Sequence, residues 1–175
     1  MKIRIIVITA LLLLAPVAQL AQAAQAPDYR QVSEIELENL SQPASNRFSS
    51  AQPSQAQLQA LADAGVKHIV SLRPVSELDW DEQAVVESLG MTFHRVPVDV
   101  PNGINQNNAE SLSQVLANIG DESALLHCAS GNRVGAMVAL KHGADTGDIE
   151  TAVTLGQAWG MTRLETMVRE KLQSQ

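Results

Sequence analysis

Ala124-Leu125-Leu126-His127-Cys128-Ala129-Ser130-Gly131-Asn132-Arg133 is the stretch that decides the fold. The apolar run reads as a buried strand. It delivers the only cysteine of the chain into a turn containing Gly131, and the apolar Val134 to Leu140 then reads as a helix. A strand–turn–helix of this kind aims backbone N–H groups and a helix N-terminus at one point, which suits an anion. The positive end of a helix also favours a thiolate, the form of cysteine that attacks. Arg133, five residues after Cys128, has the fork of donors needed to grip a tetrahedral oxyanion. Cys128 is thus the candidate nucleophile, with Ala129, Ser130, Gly131 and Asn132 as the anion-binding loop.

Working outward, the same alternation recurs. Arg47-Phe48-Ser49-Ser50 opens the domain as a strand. Ser54 caps a helix, Gln57 completes a capping box, and Leu58, Leu61 and Ala62 form its apolar face before Gly65 stops it. Val66 to Leu72 is a buried strand ended by Pro74, and Asp79 to Leu89 is a helix stopped by Gly90. Thr92 to Val98 is the next strand. After Pro101-Asn102-Gly103, the apolar positions Ala109, Leu112, Val115, Leu116 and Ile119 mark an amphipathic helix ending at Gly120. Two helices follow the cysteine loop, Asp148 to Ala158 and Thr162 to Leu172. Thr162 and Glu165 are placed for a second capping box, and Leu164, Met167, Val168 and Leu172 share a face.

Strands alternating with helices predict an α/β domain with a central, mostly parallel sheet flanked by helices and a helical C-terminal tail. Ligands of such sheets sit beyond the carboxyl ends of the strands, where this reading puts Cys128. There is no internal repeat. The four histidines (His68, His94, His127 and His142) are scattered without metal-ligand spacing, and no metal or organic cofactor is called for.

Composition narrows the function classes. With 12 basic against 19 acidic residues and a net charge of -7, the chain has no basic stripe for nucleic acid. Its acidity argues against long-range attraction of anions, so any anion must be held locally. Lys2 and Arg4, the apolar Ile5 to Leu14 and the small residues through Ala26 predict a secretory signal peptide over 1–23. The cut falls between Ala21 and Ala26, best matched by Ala21-Gln22-Ala23. The apolar run is too short to span a bilayer unaided, so no stable membrane insertion is expected after cleavage. The expected location is the periplasm if the source is Gram-negative. There a lone thiol is open to oxidation, and a chain that keeps one in such a loop is expected to use it. Residues 24–46 read as a polar arm, in which Ile35, Leu37 and Leu40 hint at a short element, and 47–175 as the folded domain.

These residues resemble a family. The His127-Cys128…Gly131…Arg133 loop, with Val96-Pro97-Val98-Asp99-Val100-Pro101 upstream, is similar to the cysteine-dependent protein phosphatases, above all the dual-specificity type. Ser50-Ala51-Gln52-Pro53-Ser54 and Val70-Ser71-Leu72-Arg73-Pro74 add a likeness to the bacterial phosphatase-like domain also found with β-lactamase-like hydrolases. The likeness runs from Phe48 to Leu172. It implies that Cys128 attacks phosphorus to form a thiophosphate, and that Arg133 and the loop amides bind the equatorial oxygens. It also implies that Asp99 protonates the leaving oxygen and then activates water, while His127 orients the loop and keeps Cys128 ionised. The implied partner is a phosphorylated substrate.

Two positions depart from the pattern. Four residues separate Cys128 from Arg133 where the phosphatases have five, and Val134 stands where a hydroxyl residue assists the second step. The shorter loop also resembles that of single-domain rhodaneses, which carry a persulfide, so a sulfurtransferase taking a small sulfur anion is the rival reading. A non-catalytic anion-binding or redox-sensing protein is the third. Plainer roles stand beside the catalytic ones. Asp99 can serve the turn that follows it, and Arg73 either holds anions near the site or pairs with Glu77. His68 and His94 are expected to be structural, Trp80 and Trp159 packing groups, and Lys141 and His142 complements to a helix end. The sequence leaves substrate and oligomeric state open.

Overall fold

The parallel ladder forms where β-branched and leucine-rich runs recur between helices. In the computed structural model, which describes residues 29–174, it holds β2 (Arg47–Ser50), β3 (His68–Ser71), β4 (Thr92–Arg95) and β5 (Ala124–His127). An edge strand, β1 (Ser41–Ala44), pairs antiparallel with β2, and the order across the sheet is β1-β2-β5-β3-β4. The expected signal peptide and its cleavage window lie outside the described residues. Because β5 is central, the residue that follows it emerges between the ends of β2 and β3. His127 is in register with Ser50 on one side and Ser71 on the other.

Helices cover both faces. They are α1 (Arg30–Glu34), α2 (Gln55–Asp63), α3 (Glu82–Ser88), α4 (Gln106–Ile119), α5 (Asn132–Thr146), α6 (Ile149–Ala158) and α7 (Glu165–Gln173). Strand alternation divides the core in two. Ile69 and Leu125 face α1, α2 and α3, where they meet Val32, Leu58, Leu61 and Val86. Val70, Ala124 and Leu126 face the other way, onto Leu112 of α4, Met137 and Leu140 of α5, Val153 of α6 and Val168 of α7. The expected α/β architecture is therefore the observed one, C-terminal helices included.

The capping box at Ser54 forms as read: its hydroxyl accepts from Gln57 N, and the Gln57 side chain accepts from Ser54 N. Several boundaries differ for identifiable reasons. The ladders of β3 and β4 stop at Ser71 and Arg95, although Val96 and Val98 still donate to Ser71 O and Leu72 O. The third helix starts after Asp81, whose carboxylate accepts from Ala84 N, and a 3-10 turn (Val75–Glu77) precedes it. The helix behind the cysteine loop continues to Thr146, so Lys141 lies inside it and pairs with Asp145 and Glu110 instead of facing a helix end. The second capping box does not form. Thr162 donates its hydroxyl to Asn132 Oδ1, while Glu165 meets Arg169 and Gln157. Long-range partners outcompete the local pattern there.

The described part of the N-terminal arm is built into the domain. Val32 is fully buried, and the Tyr29 ring meets Phe48 edge-on at 5.7 Å. The two tryptophans pack, Trp159 at 9% exposure in one core and Trp80 at the edge of the other. His68 and His94 sit together, Nδ1 to Nε2 at 3.0 Å, and His68 also meets Glu122 at 2.8 Å, far from the cysteine loop.

Helices α5 and α6 approach backbone to backbone. A Cβ on Gly135 would collide with Gly156 O and stand 2.6 Å from Met161 N; one on Gly156 would stand 2.8 Å from Gly135 O. Only two glycines allow this crossing. Gly135→Ala is expected to destabilise the protein by roughly 1–3 kcal/mol, the usual cost of overpacking, read from the urea midpoint at constant m-value. A midpoint equal to that of the wild type would show that the helices can separate freely.

Candidate active site

Cys128 leaves the end of β5 and the chain turns at once. Gly131 takes φ 81° at the N-cap of α5, a left-handed conformation that glycine adopts without steric cost. Its Cα hydrogens face Ser50, where a Cβ would lie 3.6 Å from the backbone, and Ala51 bridges to Ser130. The loop is thereby pressed onto the end of β2. Asn39, from the N-terminal segment, donates to Ser130 O at 3.3 Å.

The turn directs the Ser130 N–H at the Cys128 sulfur, 3.5 Å away. Cys128 itself has no exposed surface. Asn132, 6% exposed, acts as a tether: its Oδ1 accepts from Thr162 N (2.8 Å), Thr162 Oγ1 (3.1 Å) and Arg163 N (2.6 Å). This fixes the α6–α7 turn against the first residue of α5. Val134, in the place of the usual hydroxyl, is fully buried in the core.

Arg133 is 7% exposed and thoroughly bonded on one edge. Its Nη1 donates to Val98 O (2.8 Å), Leu72 O (3.4 Å) and Glu77 Oε1 (2.8 Å), and Nη2 donates to Glu77 Oε2 (2.6 Å). Burial works to lower its pKa, but Glu77 and the neighbouring Cys128 outweigh that and raise it. Nε and the second Nη2 hydrogen lie outside these four bonds, and the Cys128 sulfur is close enough to act on the guanidinium. Glu77 is correspondingly held below the ordinary carboxylate value, first by the hydrogen bond from Arg133 and then by its charge and by Arg73.

Arg73 is at the site and pairs with Glu77. It meets Glu77 Oε2 at 3.2 Å and the Glu77 carbonyl, and donates to Gln52 Oε1 at 2.9 Å. Gln52 in turn donates to Glu82 Oε1 at 2.6 Å. Glu82, at the start of α3, lies beneath the loop with His127; both side chains are fully buried, and Nε2 and Oε1 are 2.9 Å apart. That is ion-pair distance without hydrogen-bond alignment, because both ring nitrogens and Glu82 Oε2 lack a hydrogen-bond partner among the described residues. Burial pushes Glu82 up, yet His127 and Gln52 together hold it below the ordinary value. A continuous polar chain thus runs from His127 to Arg133 under the loop.

Asp99 follows Val98, which binds Arg133, and precedes Val100, which lines the cleft. It is exposed, in a turn closed by Gly103 N donating to Asp99 O at 2.9 Å. Gly103 is obligatory there, as a Cβ would lie 2.5 Å from that carbonyl. The cleft over the loop holds about 220 Å³ and is lined by Val100, Ser130, Asn132, Arg133, Arg163 and Leu164. Sequence reasoning missed Glu82 and Arg163, and had Gln52 only as part of a motif, without a role. Glu77 was legible only as an i+4 partner of Arg73. Among the described residues no group of three or more His, Cys, Asp or Glu side chains is arranged to hold a metal.

The family model described as "DSP-PTPase phosphatase fused to NAD+ Kinase" matches residues 21–174. The chain belongs to this family. No curated protein matches it. Among solved structures, a candidate phosphatase (DUF442) from Shewanella putrefaciens CN-32 is 24% identical, with TM-score 0.59 over 78% of this chain and 95% of that one. One from Neisseria meningitidis is 21% identical, with TM-score 0.64 over 78% and 99%. TpbA of P. aeruginosa, solved as a Cys-to-Ser form with phosphotyrosine, is 20% identical, with TM-score 0.59 over 85% and 86%. At these identities the likeness is one of fold.

Glu77 gives a signed pH prediction. Its depressed pKa contributes stability that is present above the ordinary value of 4.5 and lost as pH falls through the depressed one. The stability lead of wild type over Glu77→Gln, measured by urea unfolding, is expected to shrink towards zero between about pH 5 and pH 2. Other carboxylates titrate in both proteins and cancel, so a lead independent of pH would refute the coupling.

Proposed function

We propose that this chain is an exported cysteine-dependent phosphatase that hydrolyses phosphate monoesters through a thiophosphate on Cys128. The observation that carries the reading is the Ser130 N–H directed at the Cys128 sulfur at the end of the central strand, beside an Arg133 fixed by Glu77 and two strand-end carbonyls. Membership of a dual-specificity phosphatase family supports it. Export rests on the leader pattern of residues 1–23.

The chemistry follows from the groups present. The Cys128 thiolate attacks phosphorus, and a P–S bond forms as the ester P–O bond breaks. The electron pair leaves on the ester oxygen, which takes a proton from Asp99. Arg133 and the loop N–H groups stabilise charge on the equatorial oxygens. Asp99 then removes a proton from water, the oxygen attacks phosphorus, and the P–S bond breaks to return the thiolate and inorganic phosphate. Glu77 and the Leu72 and Val98 carbonyls act on Arg133 as positioning groups. His127 and Glu82 support the loop from below. With Val134 in place of a hydroxyl, the second step lacks an assisting donor, so the phosphoenzyme is expected to accumulate.

Sulfur transfer is the second reading, favoured by one observation: the short loop closes so tightly that Cys128 has no exposed surface, a fit better suited to one added sulfur atom. The full chain is assayed with an aryl phosphate and with thiosulfate plus cyanide. Cys128→Ser is expected to abolish turnover while leaving the unfolding curve in place. Asp99→Asn is expected to cut phosphatase activity on the order of 100-fold. Cyanide-dependent turnover indifferent to Asp99→Asn, with no aryl phosphate hydrolysis, would replace phosphatase by sulfurtransferase. An active Cys128→Ser variant would end both.

A further inference from the structure

Arg163 is an exposed residue at the wall of the cleft, and among the described residues its guanidinium has no hydrogen-bond or ion-pair partner. Its neighbours behave differently. Arg133 and Arg73 share Glu77, and Arg169 on the next helix binds Glu150 and Glu165. Its backbone is the opposite of free: Arg163 N donates to Asn132 Oδ1 at 2.6 Å, and Thr162 is held by the same oxygen. The residue ahead of Arg133 thus fixes where Arg163 begins. The Gly135–Gly156 contact behind it sets the crossing of α5 and α6 that brings the turn there.

We infer that Arg163 is a specificity-determining residue, binding a second anionic group on a small phosphate ester whose scissile phosphate lies on Arg133 and the Cys128 loop. This rests on the phosphatase reading and names its substrate class. Three features of the cleft point the same way. Glu77 neutralises much of the Arg133 charge, so Arg163 supplies the uncompensated cation. The volume of about 220 Å³ is below the usual 300–1,000 Å³ of ligand pockets, which favours a compact molecule. Besides Ser130 and Asn132, the lining is aliphatic, Val100 at 51% exposure and Leu164, and among the described residues no aromatic ring lines the cleft. A short carbon chain bearing two anionic groups fits; a phosphorylated aromatic side chain finds no ring to meet it. In a chain of net charge -7, a second local cation also holds what the overall field does not attract.

The test is calorimetric binding to the full chain of two ligands that cannot be hydrolysed, methylphosphonate and methylenebisphosphonate. The bisphosphonate is expected to bind at least about tenfold more tightly, as a further charge-assisted hydrogen bond implies. In Arg163→Ala that ratio is expected to fall to about two, and in Arg163→Lys to be partly restored, since the charge remains but the fork is lost. A ratio near one in the wild type, or a large ratio that survives Arg163→Ala, overturns the assignment. If the wild type hydrolyses aryl phosphate while showing no such ratio, only the second-anion site falls. If it neither hydrolyses aryl phosphate nor binds either phosphonate, the phosphatase reading falls and this one with it.

Discussion

A guanidinium at 7% exposure stays buried only with charge and hydrogen-bond partners to replace water. Arg133 satisfies that requirement asymmetrically. One edge is consumed by Glu77 and two strand-end carbonyls, Leu72 O and Val98 O, so the ends of the β3 and β4 segments are both tied to the first turn of α5. The other edge is thereby aimed at the loop. Position and direction come from the same contacts, so the fold cannot relax around this residue without moving the loop-facing edge. The Arg73–Gln52–Glu82 chain extends the constraint to His127 and the end of β5.

The sheet explains why these groups meet at all. Central placement of β5 puts Cys128 between the ends of β2 and β3. Segments following β2, β3 and β4 then supply Gln52, Arg73 with Glu77, and Asp99, each from a different crossover. These side chains gather at one end of the sheet, while the other end carries the His68–His94 pair. The acidic surface and the locally basic cleft are compatible because charge is concentrated within the site itself.

Much of this was legible. Short-range signals such as the apolar run into Cys128, the Ser54–Gln57 box and the glycine stops mark elements through contacts a few residues apart. The candidate loop and Arg133 were readable for the same reason. Glu82 and Arg163 were not, because nothing near them in sequence records that they arrive beside His127 and Asn132. Thr162 and Glu165 show the converse failure. A sound local motif was present, and Asn132, 30 residues away in sequence, captured its hydroxyl instead. Residues 29–46 read as polar because β1 is an edge strand whose residues alternate between half-buried and exposed, which leaves a weak pattern.

The brevity of the cysteine loop acquires a mechanical meaning from Asn132. Upstream, Cys128 is anchored to a strand held on both sides; downstream, Asn132 is nailed by three donors to a turn that belongs to another helix. With both posts immovable, the span between them sets the residue count. An extra residue could not be taken up between fixed posts without bulging the arch away from its present path. Loop length here is a dimension of the scaffold, and a longer version would demand that the turn after α6 move as well.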